Sequence, residues 1–148
     1  MNLKLFTESD LEQCTNVFVH VFNQPPWNDE WTKVKAYQYL NDFVNTPGFL
    51  GIVAEDEEEI MGFVFGVRKR WWSGDEFFVH ELCVSTEKQH MGIGTGLLKY
   101  LEAQLELSGI KNIVCLTDRG TPAELFYEKN GFAVIDRIIF LHKDTNTK

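Results

Sequence analysis

The sequence predicts an α/β (α+β) fold in which helices cover a mixed sheet. Three observations predict it. Apolar residues recur at spacings of three and four in some segments and alternate with polar ones in others, so both amphipathic helices and half-buried strands are expected. Two strand-like segments, 49–54 and 60–67, flank the acidic turn 55–59 as the arms of an antiparallel hairpin. A strand over 76–84, a helix over 92–107 and a strand over 113–116 make a βαβ crossover, whose two strands run parallel as neighbours. At 148 residues the chain is expected to form a single domain over 1–148.

Each element has a local reason. Residues 2–6 alternate as a short strand, and Thr7 is placed to cap a helix with Glu8 and Asp10 in its first turn. Leu11, Cys14, Val17, Phe18, Val21 and Phe22 then share one helical face, which should be core. Pro25 and Pro26 break that helix, and Asn28 is the expected cap of a second one running to about Val44 with Asp29 and Glu30 in its first turn. Ser73 and Gly74 interrupt the chain before the aromatic, β-branched strand 76–84. Leu97, Leu98, Leu101 and Leu105 form the stripe of the third helix, which Ser108-Gly109 stops. Thr121-Pro122-Ala123-Glu124 is a capping box with proline at the first helical position, and the short helix it opens ends at Asn130-Gly131. Segments 132–135 and 137–142 read as closing strands, and the polar tail 143–148 should fray.

Composition narrows the function. Hydrophobic residues are 44% and charged residues 24%, enough apolar content for a folded core. Fourteen basic against 22 acidic side chains leave a formal charge of −8, which argues against nucleic acid or an anionic membrane as partner and favours a cationic small substrate. The three cysteines, Cys14, Cys83 and Cys115, sit far apart in apolar runs and match no disulfide or zinc pattern, so buried thiols and no metal are expected. Without a charged-then-apolar leader or an 18-residue apolar run, neither a secretory signal nor a spanning helix is expected, and the location expected is cytoplasmic.

The sharpest motif is Gln89-His90-Met91-Gly92-Ile93-Gly94-Thr95-Gly96, between the strand 76–84 and its helix. Glycines there permit tight backbone conformations and close approach, and free N–H groups at a helix start attract phosphate oxygens. The same glycines also suit a plain strand-to-helix turn. No Gly-Lys-Ser/Thr ending is present, so the turn is not a nucleotide triphosphate loop, and a dinucleotide fold is disfavoured because the turn follows an antiparallel region late in the chain and no acidic residue ends the strand 113–116.

Gln89, Gly92 and Gly94 match the signature of the GNAT acyltransferase superfamily, a Gln or Arg, two residues, Gly, any residue, then Gly or Ala. Leu82-Cys83-Val84 stands at the family's usual distance before it, and Ala123-Glu124-Leu125-Phe126-Tyr127-Glu128-Lys129-Asn130-Gly131-Phe132 is similar to the family's second signature. The chain therefore resembles a GNAT N-acetyltransferase. The resemblance implies a mostly antiparallel central sheet with a splayed parallel strand pair and helices on both faces. It implies acetyl-CoA as co-substrate, its pyrophosphate on the N–H groups of Gln89, His90, Met91, Gly92, Ile93, Gly94 and Thr95. The pantetheine arm would pair with backbone at Leu82, Cys83 and Val84, with Phe126 and Tyr127 on the coenzyme side.

For the chemistry, the resemblance points to Tyr127 as the acid that protonates the coenzyme thiolate and to a backbone N–H near Cys83, freed by a bulge, for the oxyanion. Glu81 is the base candidate, because a carboxylate on an otherwise apolar strand is paired, wet or functional; a water chain is the alternative. His80 points to the other face if strand alternation holds. A covalent Cys83 mechanism would need an activated thiolate, and buried packing is the reading for that residue. The expected acceptor is the primary amine of a small molecule, attacked directly. Trp27, Trp31, Trp71 and Trp72 with Asp29, Glu30, Asp75 and Glu76 are candidates to line its cleft. The Pro25-Pro26-Trp27-Asn28 segment and the acidic balance are similar to those of small-molecule amine acetyltransferases, aminoglycoside-modifying ones included. A protein or peptide amine acetyltransferase and a non-catalytic CoA-binding sensor stay open as alternatives, as does a homodimer, which is common in the family.

Overall fold

A computed structural model describes residues 1–146. Its first compact unit, Met1–Leu116, holds a five-stranded sheet in the order β1-β2-β3-β4-β5. The strands are β1 (Asn2–Leu5), β2 (Phe49–Asp56), β3 (Glu59–Lys69), β4 (Glu76–Val84) and β5 (Asn112–Cys115). The first four pair antiparallel and β4 pairs parallel with β5, the mixed sheet expected from the hairpin and the crossover. Helices α1 (Leu11–Phe22) and α2 (Lys33–Val44) pack against each other and on one face, while α3 (Ile93–Leu107) packs across β1 to β4.

Period-2 alternation builds two cores from one sheet. Val53, Phe63, Phe65 and Cys83 are in register across β2, β3 and β4 and pack under Cys14, Phe18, Ala36 and Leu40 of the first two helices. Ile52, Val64 and Val79 point the other way, toward the face that carries the buried α3 stripe Leu97, Leu98, Leu101 and Leu105. Burial of this order contributes about 1.5–3 kcal/mol per large apolar side chain.

The second helix starts later than the sequence suggests. Thr32, not Asn28, is its cap, with Oγ1 accepting from the Lys35 N–H at 3.1 Å. Asn28 lies at φ 51°, and Asn23 fastens the loop by accepting from the Trp31 N–H at 2.9 Å and donating to the Trp31 carbonyl at 3.0 Å. Asp29 and Glu30 thus stand in a loop before α2 rather than in its first turn.

β4 carries the irregularity that matters most. Phe65 pairs with Glu81, but its neighbour Gly66 pairs with Val79, which leaves His80 as an extra residue on β4. This β-bulge restarts the alternation, so Phe78 and Glu81 both lie on the α1/α2 face. The glycine is required here: a Cβ on Gly66 would strike the buried Phe77 ring and come 2.5 Å from the Phe78 carbonyl oxygen.

The second unit runs from Thr117. It contains α4 (Pro122–Lys129), capped by Thr121 and opened by Pro122 as the sequence predicts. The closing strands expected over 132–135 and 137–142 are not formed. That stretch belongs to no ladder among the described residues, and the Ile138 N–H closes a local turn on the Ile135 carbonyl at 3.2 Å. β-Propensity selects residues that tolerate extended backbone, but a strand also needs an edge to pair with. The frayed tail was expected over 143–148, of which Thr147 and Lys148 lie outside the described residues.

Candidate active site

The glycine turn opens α3. Gly92 is the N-cap at φ 82°, a left-handed conformation in open space, so backbone geometry and not crowding calls for glycine. No side chain caps this helix, and its first-turn N–H groups, at Ile93, Gly94 and Thr95, are available to an anion. Gln89, His90, Met91 and Gly92 are exposed, and the Gln89 amide donates to the Val84 carbonyl at 3.1 Å, tying the turn to the end of β4. The sequence-predicted pyrophosphate residues therefore form one donor-rich turn, exposed from Gln89 to Gly92, with Ile93 buried and Gly94 and Thr95 half-buried.

β4 offers a partly open edge. Its parallel ladder with β5 begins at Glu76/Asn112 and ends at Val79/Cys115. Past that point no strand among the described residues pairs with that side of Leu82, Cys83 and Val84. A half-paired parallel edge suits an amide-bearing arm that adds as a partial strand. The bulge, expected near Cys83, lies at His80, beside the contact of the Phe77 ring with Gly66. Cys83 itself is buried, and burial, then the nearby Glu81 charge, push its thiol well above the ordinary range, which suits packing and not nucleophilic attack.

On the α1/α2 face the bulge brings two titratable groups together. Glu81 is partly buried, and the Tyr39 hydroxyl donates to its Oε2 at 2.6 Å. Burial raises the Glu81 carboxyl to about 7; the Tyr39 hydrogen bond opposes this rise and the Asp29 charge adds to it. His80 does not turn away as simple alternation would have it. Its ring is stacked between Phe78 at 4.5 Å and Phe43 of α2 at 4.6 Å, nearly parallel to both. Desolvation, then Lys69, hold its pKa below the usual value. With both ring faces covered, its nitrogens are open only at the ring edge.

Beside Glu81 an aromatic chain leads outward. Tyr39 packs on Phe43 at 4.9 Å and on Trp31 at 5.2 Å, and Trp31 packs on Phe18 at 5.1 Å. The Trp31 indole donates to Asp29 Oδ2 at 3.1 Å. Asp29, Glu30 and Trp31 border a shallow, open depression, an anionic, aromatic surface suited to an ammonium group. Of the other acceptor candidates, Trp71 and Trp72 are exposed in the β3–β4 loop, while Trp27 packs on Phe22 at 5.0 Å.

Tyr39 was not among the sequence candidates. Its only signal is a hydroxyl on the core face of α2, at helical spacing with Ala36, Leu40 and Phe43, where a half-buried tyrosine calls for a polar partner.

In the second unit, Tyr127 and Phe126 lie partly buried on α4, with the Tyr127 ring 5.3 Å from Phe126 and 5.1 Å from Phe132. Among the described residues no group of three or more His, Cys, Asp or Glu could hold a metal ion, and no helix is long and apolar enough to cross a membrane.

Comparison with known proteins bears on the family and the fold. The model of the acetyltransferase (GNAT) family matches residues 11–132. No curated protein matches the chain by sequence. Among solved structures, an integron cassette protein from the mobile metagenome of V. cholerae superposes with TM-score 0.81 at 17% identity, covering 98% of this chain and 93% of that one. An aminoglycoside acetyltransferase from an uncultured soil metagenomic sample gives TM-score 0.75 at 19% identity, with coverage of 97% and 95%. An aminoglycoside antibiotic 6'-N-acetyltransferase from Acinetobacter haemolyticus gives 0.75 at 13%, with 97% and 99%. At these identities the likeness concerns the fold.

Proposed function

The chain belongs to the acetyltransferase (GNAT) family, and from that membership we propose that it transfers an acetyl group from acetyl-CoA to the primary amine of a small, cationic acceptor. The observation that carries the acceptor side is Glu81: a carboxylate with a raised proton affinity, held by Tyr39 next to the acidic, aromatic surface of Asp29, Glu30 and Trp31. A base whose pKa lies near the working pH is both unprotonated often enough and basic enough to take a proton from an ammonium or attacking amine.

Acetyl-CoA supplies an activated thioester. The N–H groups of residues 89–95 would hold its diphosphate, helped by the positive end of the α3 dipole. The unpaired side of Leu82, Cys83 and Val84 would align its amide-bearing arm. Glu81 accepts the amine proton directly or through water. Tyr127 is assigned the acid that returns a proton to the departing sulfur, on the strength of the family motif, with Phe126 beside it against the coenzyme. The whole chain is read as one GNAT domain acting in this way. Asp29 and Glu30 would neutralise the acceptor's positive charge, and Trp31 would present its ring face to it. Two of the structural neighbours act on aminoglycosides, which are polyamines, and the −8 net charge favours acceptors of that kind.

Thiol release from acetyl-CoA, followed across a panel of small amines that includes sisomicin, tests this. The expected result is release stimulated by one or more polyamines and not by neutral analogues. Transfer confined to peptide amines would overturn the small-molecule acceptor, and CoA binding without any transfer would leave a sensor in place of an enzyme.

A further inference from the structure

The reading of Glu81 as base leaves open what makes this carboxylate available in one defined orientation. A glutamate has three rotatable bonds, and an unheld one spends little time in a productive geometry. Two features of the chain restrict it. The bulge at His80 sets the backbone so that Glu81 faces α2, and the Tyr39 hydroxyl lies 2.6 Å from Oε2. Tyr39 is itself fixed, because its ring touches Phe18 at 5.7 Å, Trp31 at 5.2 Å and Phe43 at 4.9 Å. Phenylalanine would fill the same aromatic position, so the hydroxyl is what this site gains from tyrosine.

We infer that Tyr39 is a positioning residue for acetyl transfer: its hydroxyl pins Oε2 of Glu81, leaving Oε1 as the oxygen offered to the acceptor amine. Tyr39 does not touch the reacting atoms and acts through Glu81, so the inference rests on Glu81 being the base. The hydroxyl does a second thing. It stabilises the ionised carboxylate against burial and against the Asp29 charge, lowering the proton affinity that burial raises. Tyr39 from α2 and Asp29 from the loop before it act on this carboxyl, the Glu81 charge and Cys14 of α1 in turn raise the Cys83 thiol on β4, and His80 directly precedes Glu81 on the strand. Trp31 joins the two ends of the arrangement, donating to Asp29 and packing on Tyr39, so the acceptor surface and the base share one aromatic wall.

The test needs no acceptor. With ¹³C-labelled glutamate in the full chain, the Glu81 carboxyl signal is identified by its loss in Glu81→Gln and titrated in the wild type and in Tyr39→Phe. The expected wild-type midpoint lies near 7, and Tyr39→Phe raises it by about one pH unit, the size of a lost hydrogen bond to a charged group. Incorporating 3-fluorotyrosine at position 39 keeps the ring and strengthens the donor, so it should move the midpoint down; this arm stands even if Tyr39→Phe folds poorly. An elevated midpoint that neither change moves overturns the Tyr39 inference alone. A wild-type midpoint in the ordinary carboxylate range, about 4, overturns the assignment of Glu81 as a neutral-pH base and this inference with it.

Discussion

Glu81→Gln is expected to lower kcat/KM by about 10²- to 10⁴-fold, the range for loss of a positioned general base. The pH dependence identifies the cause. In the wild type, kcat/KM should rise with pH through a limb near 7 as the Glu81 carboxyl loses its proton, and this limb should vanish in Glu81→Gln. Stability should move the opposite way. Because folding raises the proton affinity of Glu81 above its unfolded value, its contribution is fully present below about pH 4.5 and is lost as pH rises through about 7. Glu81→Gln, which cannot ionise, should therefore melt above the wild type at pH 8 and level with it at pH 4. Steady-state rates and thermal melts at these pH values check both halves. A variant that keeps wild-type activity and its neutral-pH limb would show that water or another group takes the proton.

Gly66→Ala is expected to destabilise the fold by about 1–3 kcal/mol, the usual cost of forcing extra volume into a packed core. For a chain of this size that is a fall in Tm of roughly 3–10 °C. The neighbours leave little to relax: the Phe77 ring is 1% exposed, and the Phe78 carbonyl oxygen is ladder backbone 2.5 Å from the added carbon. Any adjustment must displace β4 at the bulge, so activity should fall even well below the melting temperature, because Glu81 hangs from the next rung. Misplacement on the order of 1 Å can cost about 100-fold in rate. Gly92→Ala is the contrast, since its Cβ would meet nothing within 4 Å and only the left-handed backbone resists it. Wild-type melting and turnover in Gly66→Ala would show that the bulge does not depend on this glycine.

The sequence displays some of this arrangement directly and hides the rest for physical reasons. The hairpin around 55–59, the glycine turn and the Thr121 cap are local patterns with their chemistry within a few residues, the crossover follows from consecutive elements, and each is found where the pattern places it. Glu81 stands out as a carboxylate on an apolar strand. Its partner does not, because Tyr39 is 42 residues away and differs from a core phenylalanine by one oxygen. The bulge at His80 is invisible for a similar reason: β4 alternates well enough by itself, and only the ring of Phe77 over Gly66 on β3 reveals where register slips. The cap of α2 is ambiguous in the sequence because Asn28 and Thr32 are both good caps, and in the structure Asn23 fastens Trp31 in the loop between them while Thr32 caps the helix. The segments over 132–142 carry strand-forming residues without the pairing partner that their composition cannot specify.

Isothermal titration of the folded protein with acetyl-CoA, and with free CoA, most directly checks that the α3 turn and the half-paired β4 edge hold the acyl donor. Saturable one-to-one binding of both is expected, weakened when Gly92→Val distorts the left-handed cap. No binding heat for either compound, from protein that melts cooperatively, would contradict the assignment of this turn and of the transfer reaction built on it.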